Sequence, residues 1–140
     1  MELIVIDDGT GGASRLDPAD ALIKQVDADV DQVFQEVIGN RTTEYNTAYS
    51  DALAYQTAGF TGTVPQSVQD WADIMQQTAQ WAALNVLGTA NAWNGAQAAM
   101  RKNRLATKQA ARTAAGIEDV ELAKLAWDTF LVATRKAFGI

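Results

Sequence analysis

Four cations, Arg101, Arg104, Lys108 and Arg112, follow one another at intervals of three, four and four residues, with Lys102 beside the first. On an α-helix that spacing puts all four on one face, where aligned positive charge can focus a field on a phosphate or on an acidic partner. The same residues also suit ordinary pairing within the chain. If the chain reverses at Gly116, Arg112 approaches Asp119, Lys108 approaches Ala123 and Arg104 approaches the ring of Trp127, so an ion pair and a cation–π contact absorb much of the charge. Local pairing is the preferred reading. A nucleic-acid ligand is disfavoured further by the net charge of −6 and by the lack of aromatic residues interleaved with the basic ones.

A second constellation, Asp27-x-Asp29-x-Asp31, opens like a calcium loop. Such a loop needs a glycine at its sixth position and a bidentate glutamate at its twelfth, and these are Gln32 and Ile38. No metal site is expected there. The run Asp7-Asp8-Gly9-Thr10-Gly11-Gly12 is read as a hinge, because no helix follows it directly to aim an N-terminus at an anion. The sequence holds no cysteine and no histidine, which removes thiolate nucleophiles, disulfides, the usual zinc sites and the commonest general base. No nucleophile, base and orienting group can be assembled from what is left, so the expectation is a protein that is not an enzyme and takes no cofactor.

The elements that position these residues read as helices. With 140 residues, 48% of them hydrophobic and 20% charged, the chain has the composition of one globular domain plus an arm. No segment approaches the ~20 apolar residues of a membrane span, so membrane insertion is not expected. Glu2 and Asp7-Asp8 bracket an apolar stretch too short for a signal peptide. Residues 1–60 hold eleven acidic against three basic side chains, and residues 61–140 hold six against eight. An acidic arm and a mildly basic body can therefore meet between neighbouring copies.

Asp17-Pro18-Ala19-Asp20 predicts a helix start, and Gly39-Asn40 its end near Ile38. Within it Leu22, Val26, Val30, Val33 and Val37 recur at helical intervals, which suits a helix interface with another subunit or packing on the chain's own body. If they form an interface, Val30, Val33 and Val37 should be partly exposed. A second helix is expected over 41–58. After a non-helical joint, a short helix follows that is capped by Ser67 and has Trp71, Ile74 and Met75 on its apolar side. Thr78 opens the longest helix, to about Ala115, with a stripe of Ala79, Ala82, Val86, Ala90, Trp93 and Met100, and with Gly88 and Gly95 available for close helix approach. A last helix over about 117–138 folds back antiparallel and presents Val120, Ala123, Trp127, Phe130 and Leu131. The four tryptophans and Tyr45, Tyr49 and Tyr55 are taken as packing anchors.

Leu3, Ile4, Val5 and Ile6 form a β-branched apolar run suited to a buried strand, with no second strand of comparable quality in the sequence. Its backbone groups would then pair with another chain. The expected fold is all-α: a single N-terminal strand with a linker over 1–16, a helical arm over 17–58 and a compact antiparallel helical bundle over 65–140.

Tyr55-x-x-Ala58-Gly59-Phe60-Thr61-Gly62-Thr63-Val64-Pro65, then Val68-Gln69-x-Trp71-Ala72, Thr78-Ala79-Gln80, Ala92-Trp93 and Arg101-x-x-Arg104-Leu105-Ala106, resemble the small helical tail proteins of tailed bacteriophages. The likeness covers roughly residues 41–138 and leaves the arm outside it. It implies a component of a virion tail or baseplate, or a factor that helps assemble a tail fibre; taken with the strand and the helical arm, the leading expectation is a structural adaptor, located in the virion tail and in the host cytoplasm during assembly. The partners it implies are other tail or fibre proteins, and the valine series with the unpaired strand adds further copies of the chain as expected partners. A tail-fibre assembly chaperone absent from the finished particle is the alternative, and a small nucleic-acid-associated protein is the reading from another class.

Overall fold

The computed structural model of the chain describes residues 17–140 as five α-helices: α1 Pro18–Val37, α2 Thr42–Thr57, α3 Gln66–Met75, α4 Ala79–Arg112 and α5 Ile117–Ala137. Among the described residues there is no strand, and the all-helical expectation is met. The strand expected at Leu3, Ile4, Val5 and Ile6 lies outside the described residues.

Local chemistry sets the ends of the helices. Asp17 Oδ1 accepts the backbone N–H of Asp20 at 2.9 Å, and Pro18, which has no N–H to leave unpaired, takes the first helical position. After α1 the chain turns through Gly39 at φ +58°, where an added Cβ would stand 3.2 Å from the Gln35 carbonyl oxygen. Only glycine meets that geometry without strain. Thr78 Oγ1 caps α4 by accepting the Trp81 N–H at 3.1 Å. Ser67 does not cap α3. That helix is entered from Pro65, and the Ser67 hydroxyl donates to Asp51 Oδ2 of α2 at 2.7 Å, so a tertiary carboxylate takes the side chain that the sequence offered as a local cap.

The described residues sort into two units, one made of 17–33 with 100–140 and the other of 34–99. This division cuts across the expected 17–58 arm and 65–140 bundle. The reason lies in α1, whose apolar residues pack on α4 and α5.

In the unit of 17–33 and 100–140, Leu22 and Val26 of α1, Ala111 of α4, and Val120 and Trp127 of α5 make the core, with Ile23, Val30, Ala123, Phe130 and Leu131 against it. Trp127 and Phe130 stack at a tilt with ring centroids 5.6 Å apart. Pro18 and Ala19 share a groove with Ala111, Ala114, Ile117 and Val120, whereas Asp27 meets Arg104 and Lys108 and Asp29 meets Trp127. The order of these contacts makes α1 antiparallel to α4 and parallel to α5. Hence α5 runs back antiparallel along α4, as expected.

In the unit of 34–99 the core is Ala52 and Tyr55 of α2, Val68 and Ala72 of α3, and Ala82, Ala83 and Leu87 of α4. The Tyr45 hydroxyl meets the Ala90 carbonyl, while Tyr55 packs with Ala82 and Ala83, so α2 and α4 are antiparallel. Small residues let them approach closely, but these are alanines: Ala82 and Ala83 are wholly buried. A Cβ at Gly88 or Gly95 would meet nothing within 4 Å, so neither glycine makes the close approach that its position suggested. Phe34 and Trp93 add an edge-to-face pair with centroids 5.1 Å apart. On α3 the buried positions are Val68 and Ala72, and Ile74 and Met75, expected on the apolar side, are exposed. Left-handed Gln76 ends that helix one residue later, leaving them on a short terminal turn.

Candidate interaction surfaces

Two of the four cations on the basic face of α4 are paired within the chain. Arg104 Nη1 lies 3.1 Å from Asp27 Oδ1 and Lys108 Nζ 2.8 Å from Asp27 Oδ2, so one carboxylate of α1 receives both cations. The Lys108 side chain is only 14% exposed while Asp27 keeps 45%, so Asp27 meets a cation that has little access to water. The hydrogen bond from Lys108, against the opposing effect of burial and aided by Arg104, holds the Asp27 carboxyl below the usual carboxylate range. Pairing inside the chain was the preferred reading of this face, but the partners differ from those expected. Arg104 and Lys108 turn to α1, and Asp119 Oδ2 accepts the Ala115 backbone N–H. Arg101 and Arg112 are exposed.

The acidic run of α1 supplies a second link. Asp29 Oδ2 accepts the indole N–H of Trp127 at 2.9 Å and the Gln25 amide at 3.2 Å, and Gln25 also donates to Asp128 Oδ1 at 3.3 Å. Asp27 thus ties α1 to α4 and Asp29 ties it to α5. The alternation that imitates a calcium loop is a clasp between helices. Among the described residues no group of three or more acidic side chains is placed to hold a metal ion. No described helix is long and apolar enough to cross a membrane.

The valine series of α1 divides. Leu22, Val26 and Val33 are buried within the chain itself, while Val30 and Val37 are half-buried. The partial exposure expected for an interface is therefore found at Val30 and Val37 and not at Val33. Buried side chains of this kind each contribute roughly 1.5–3 kcal/mol to the fold, which explains why the chain keeps them inside.

Two further surfaces stand out among the described residues. The first is a cleft of about 190 Å³ in the unit of 34–99, lined by Tyr45 and Tyr49 of α2, Trp71 of α3, and Asn85 and Val86 of α4. Its polar tips are turned onto the chain: the Tyr45 hydroxyl donates to the Ala90 carbonyl at 3.4 Å, and the Trp71 indole to Asn85 Oδ1 at 2.9 Å. Burial, and then the neighbouring Tyr49, push the Tyr45 phenol above its ordinary pKa. What the cleft offers is an apolar, aromatic lining suited to an aliphatic or aromatic side chain. Beside it a wider depression, about 470 Å³, shares Ala48, Trp71 and Val86 and adds Glu44, Asp70 and the exposed Ile74.

The second surface is the outward side of α5. Leu122, Leu125 and Val132 stand 65%, 64% and 67% exposed, on the same helix whose other side buries Val120 and Trp127. They follow one another with Thr129 at intervals of three, four and three. The helical spacing that singled out Val120 and Trp127 passed over this second side. A test for a second helical stripe opposite the first would have found it.

Comparison with protein-family models, with curated proteins and with solved structures finds no match to this chain.

Proposed function

We propose that this chain is a structural adaptor, joining other chains through apolar helix surfaces rather than transforming a substrate. The observation that carries the reading is the outward stripe of α5. Three large aliphatic side chains about two-thirds exposed on one helix form the kind of contiguous apolar patch that marks a protein–protein contact. The aromatic cleft between α2, α3 and α4 supports the same reading, since Tyr and Trp with their polar tips already bonded make rigid anchors for a partner side chain.

The resemblance to small helical tail proteins of tailed bacteriophages supplies the setting: a tail or baseplate, with fibre or other tail proteins as partners. Several residues that carry the likeness, Tyr55, Val68, Trp71 and Ala72, belong to the core of the 34–99 unit or pack against it. In this role the residues at Leu3, Ile4, Val5 and Ile6 would add a strand to a neighbouring sheet. Peptide mapping of purified tailed particles from the genome that encodes the chain tests the assignment. Stoichiometric recovery from tails is the expected result. Presence in the lysate with absence from particles would replace the adaptor with an assembly chaperone, and absence from both fractions would remove the tail assignment.

A further inference from the structure

We infer that the outward stripe of α5 pairs with the same stripe of a second copy, the two helices running antiparallel about a two-fold axis. This deepens the adaptor reading and rests on α5 being an interface; it does not require the tail setting. Leu122, Leu125, Thr129 and Val132 occupy alternating a and d positions of a heptad, with Glu118 before them and Lys136 after them at the same spacing. At 3.6 residues per turn these six positions fall within about 80° of arc, opposite Val120 and Trp127. They form a narrow seam, separate from the core face.

The order of residues along the seam selects both the occupant and its direction. In an antiparallel pair with Leu125 set against Thr129 of the second copy, Leu122 falls against Val132 and Glu118 falls against Lys136. Every step of the seam then meets a compatible residue, and two-fold symmetry repeats each contact. The first turn of α5 carries Glu118 and Asp119 and the last carries Arg135 and Lys136, so antiparallel ends attract and parallel ends repel. The helix dipoles favour the same arrangement. On the flanks Ala126 and Ala133 are small enough to let the backbones approach. Asp128, which would face its own symmetry mate, is already held by Lys124 of the same helix at 2.6 Å. Apolar seam, charge order and flank size all fit another copy of this helix.

A helix of 21 residues is about 31 Å long and makes an interface below the standard size, so the dimer should be weak and concentration-dependent. Light scattering of the full chain at two concentrations about a hundredfold apart tests it. The mass is expected to rise from one 15.0 kDa chain toward two. Leu125→Glu should keep the helical circular dichroism and remain monomeric throughout. Glu118→Lys should weaken the dimer, and adding Lys136→Glu should restore it. A wild type that stays monomeric, a Leu125→Glu variant that still dimerises, or a double swap that fails to recover what the single swap lost would each overturn the pairing. A monomeric chain that is nevertheless recovered from particles would refute self-pairing alone and leave the adaptor reading intact.

Discussion

The unit of 17–33 with 100–140 and the unit of 34–99 solve the same problem, the packing of antiparallel helices, with different chemistry. The first joins its helices with one large ring, Trp127, and with two carboxylates, Asp27 and Asp29, each reaching a different neighbour. The second sets alanines of α4 against Tyr55, Val68 and Ala72, and its polar links lie at the edges, as between Ser67 and Asp51. A clasp of charged groups fixes which helix faces meet, because only one register satisfies both acids. A seam of alanines fixes how closely helices approach. The clasped unit also leaves one face of α5 apolar and uncovered, and in the 34–99 unit the uncovered apolar surface is a cleft.

The largest effect that would break this contrast falls on the ring. Trp127→Ala removes the biggest buried side chain of its unit and the donor to Asp29, and should cost about 3–5 kcal/mol in denaturant unfolding. A loss below about 1 kcal/mol would mean that the ring is not the centre of that core. In the other unit, a side chain added where helices are close should matter more than one removed. Ala82→Leu is expected to cost about 1–3 kcal/mol by overpacking, read from the shift in the unfolding midpoint, and a neutral result would show that the alanine seam has room.

The clasp itself should give a smaller, pH-dependent effect. The folded-state pKa of Asp27 is lowered, so its contribution is present above the unfolded value of about 3.9 and is lost as pH falls through the lower folded value. Because Asp27 keeps 45% exposure and water screens its pairs, Asp27→Asn should cost only about 0.5 kcal/mol near pH 7, and progressively less toward pH 3. A cost that is equal at both pH values would remove the ionic part of the clasp. Leu125→Glu, on the outward face, should change the unfolding free energy of the monomer by no more than about 0.5 kcal/mol. A larger loss would mean that this face belongs to the core.

Much of the fold was legible in the residues. Asp17-Pro18 and Thr78 announced two helix starts through local hydrogen bonding, Gly39 announced a turn, and the single stripes of α4 and α5 named Trp93, Met100, Val120 and Trp127 as inward. What stayed hidden depends on partners distant in sequence. Ser67 reads as a cap until Asp51, sixteen residues away, claims it. The cations of α4 read as a ligand face or as partners of α5 until Asp27, 77 and 81 residues away, takes two of them. Leu22, Val26 and Val33 have the spacing of an interface and the burial of a core, and spacing alone does not distinguish the two. On α5 the apolar residues lie on two opposite sides, so each stripe dilutes the amphipathic signal of the other. The seam that best suits a partner was the one that the first stripe concealed.

The most direct test of that two-sided α5 uses the absence of cysteine from the sequence. Leu122→Cys and Val132→Cys chains, mixed and oxidised gently, place one thiol on each strand of the antiparallel seam. A disulfide-linked dimer formed chiefly between the two different variants is expected, with little from either alone. Homodimers of Leu122→Cys as the main product, or no cross-link at concentrations where the wild type associates, would contradict it.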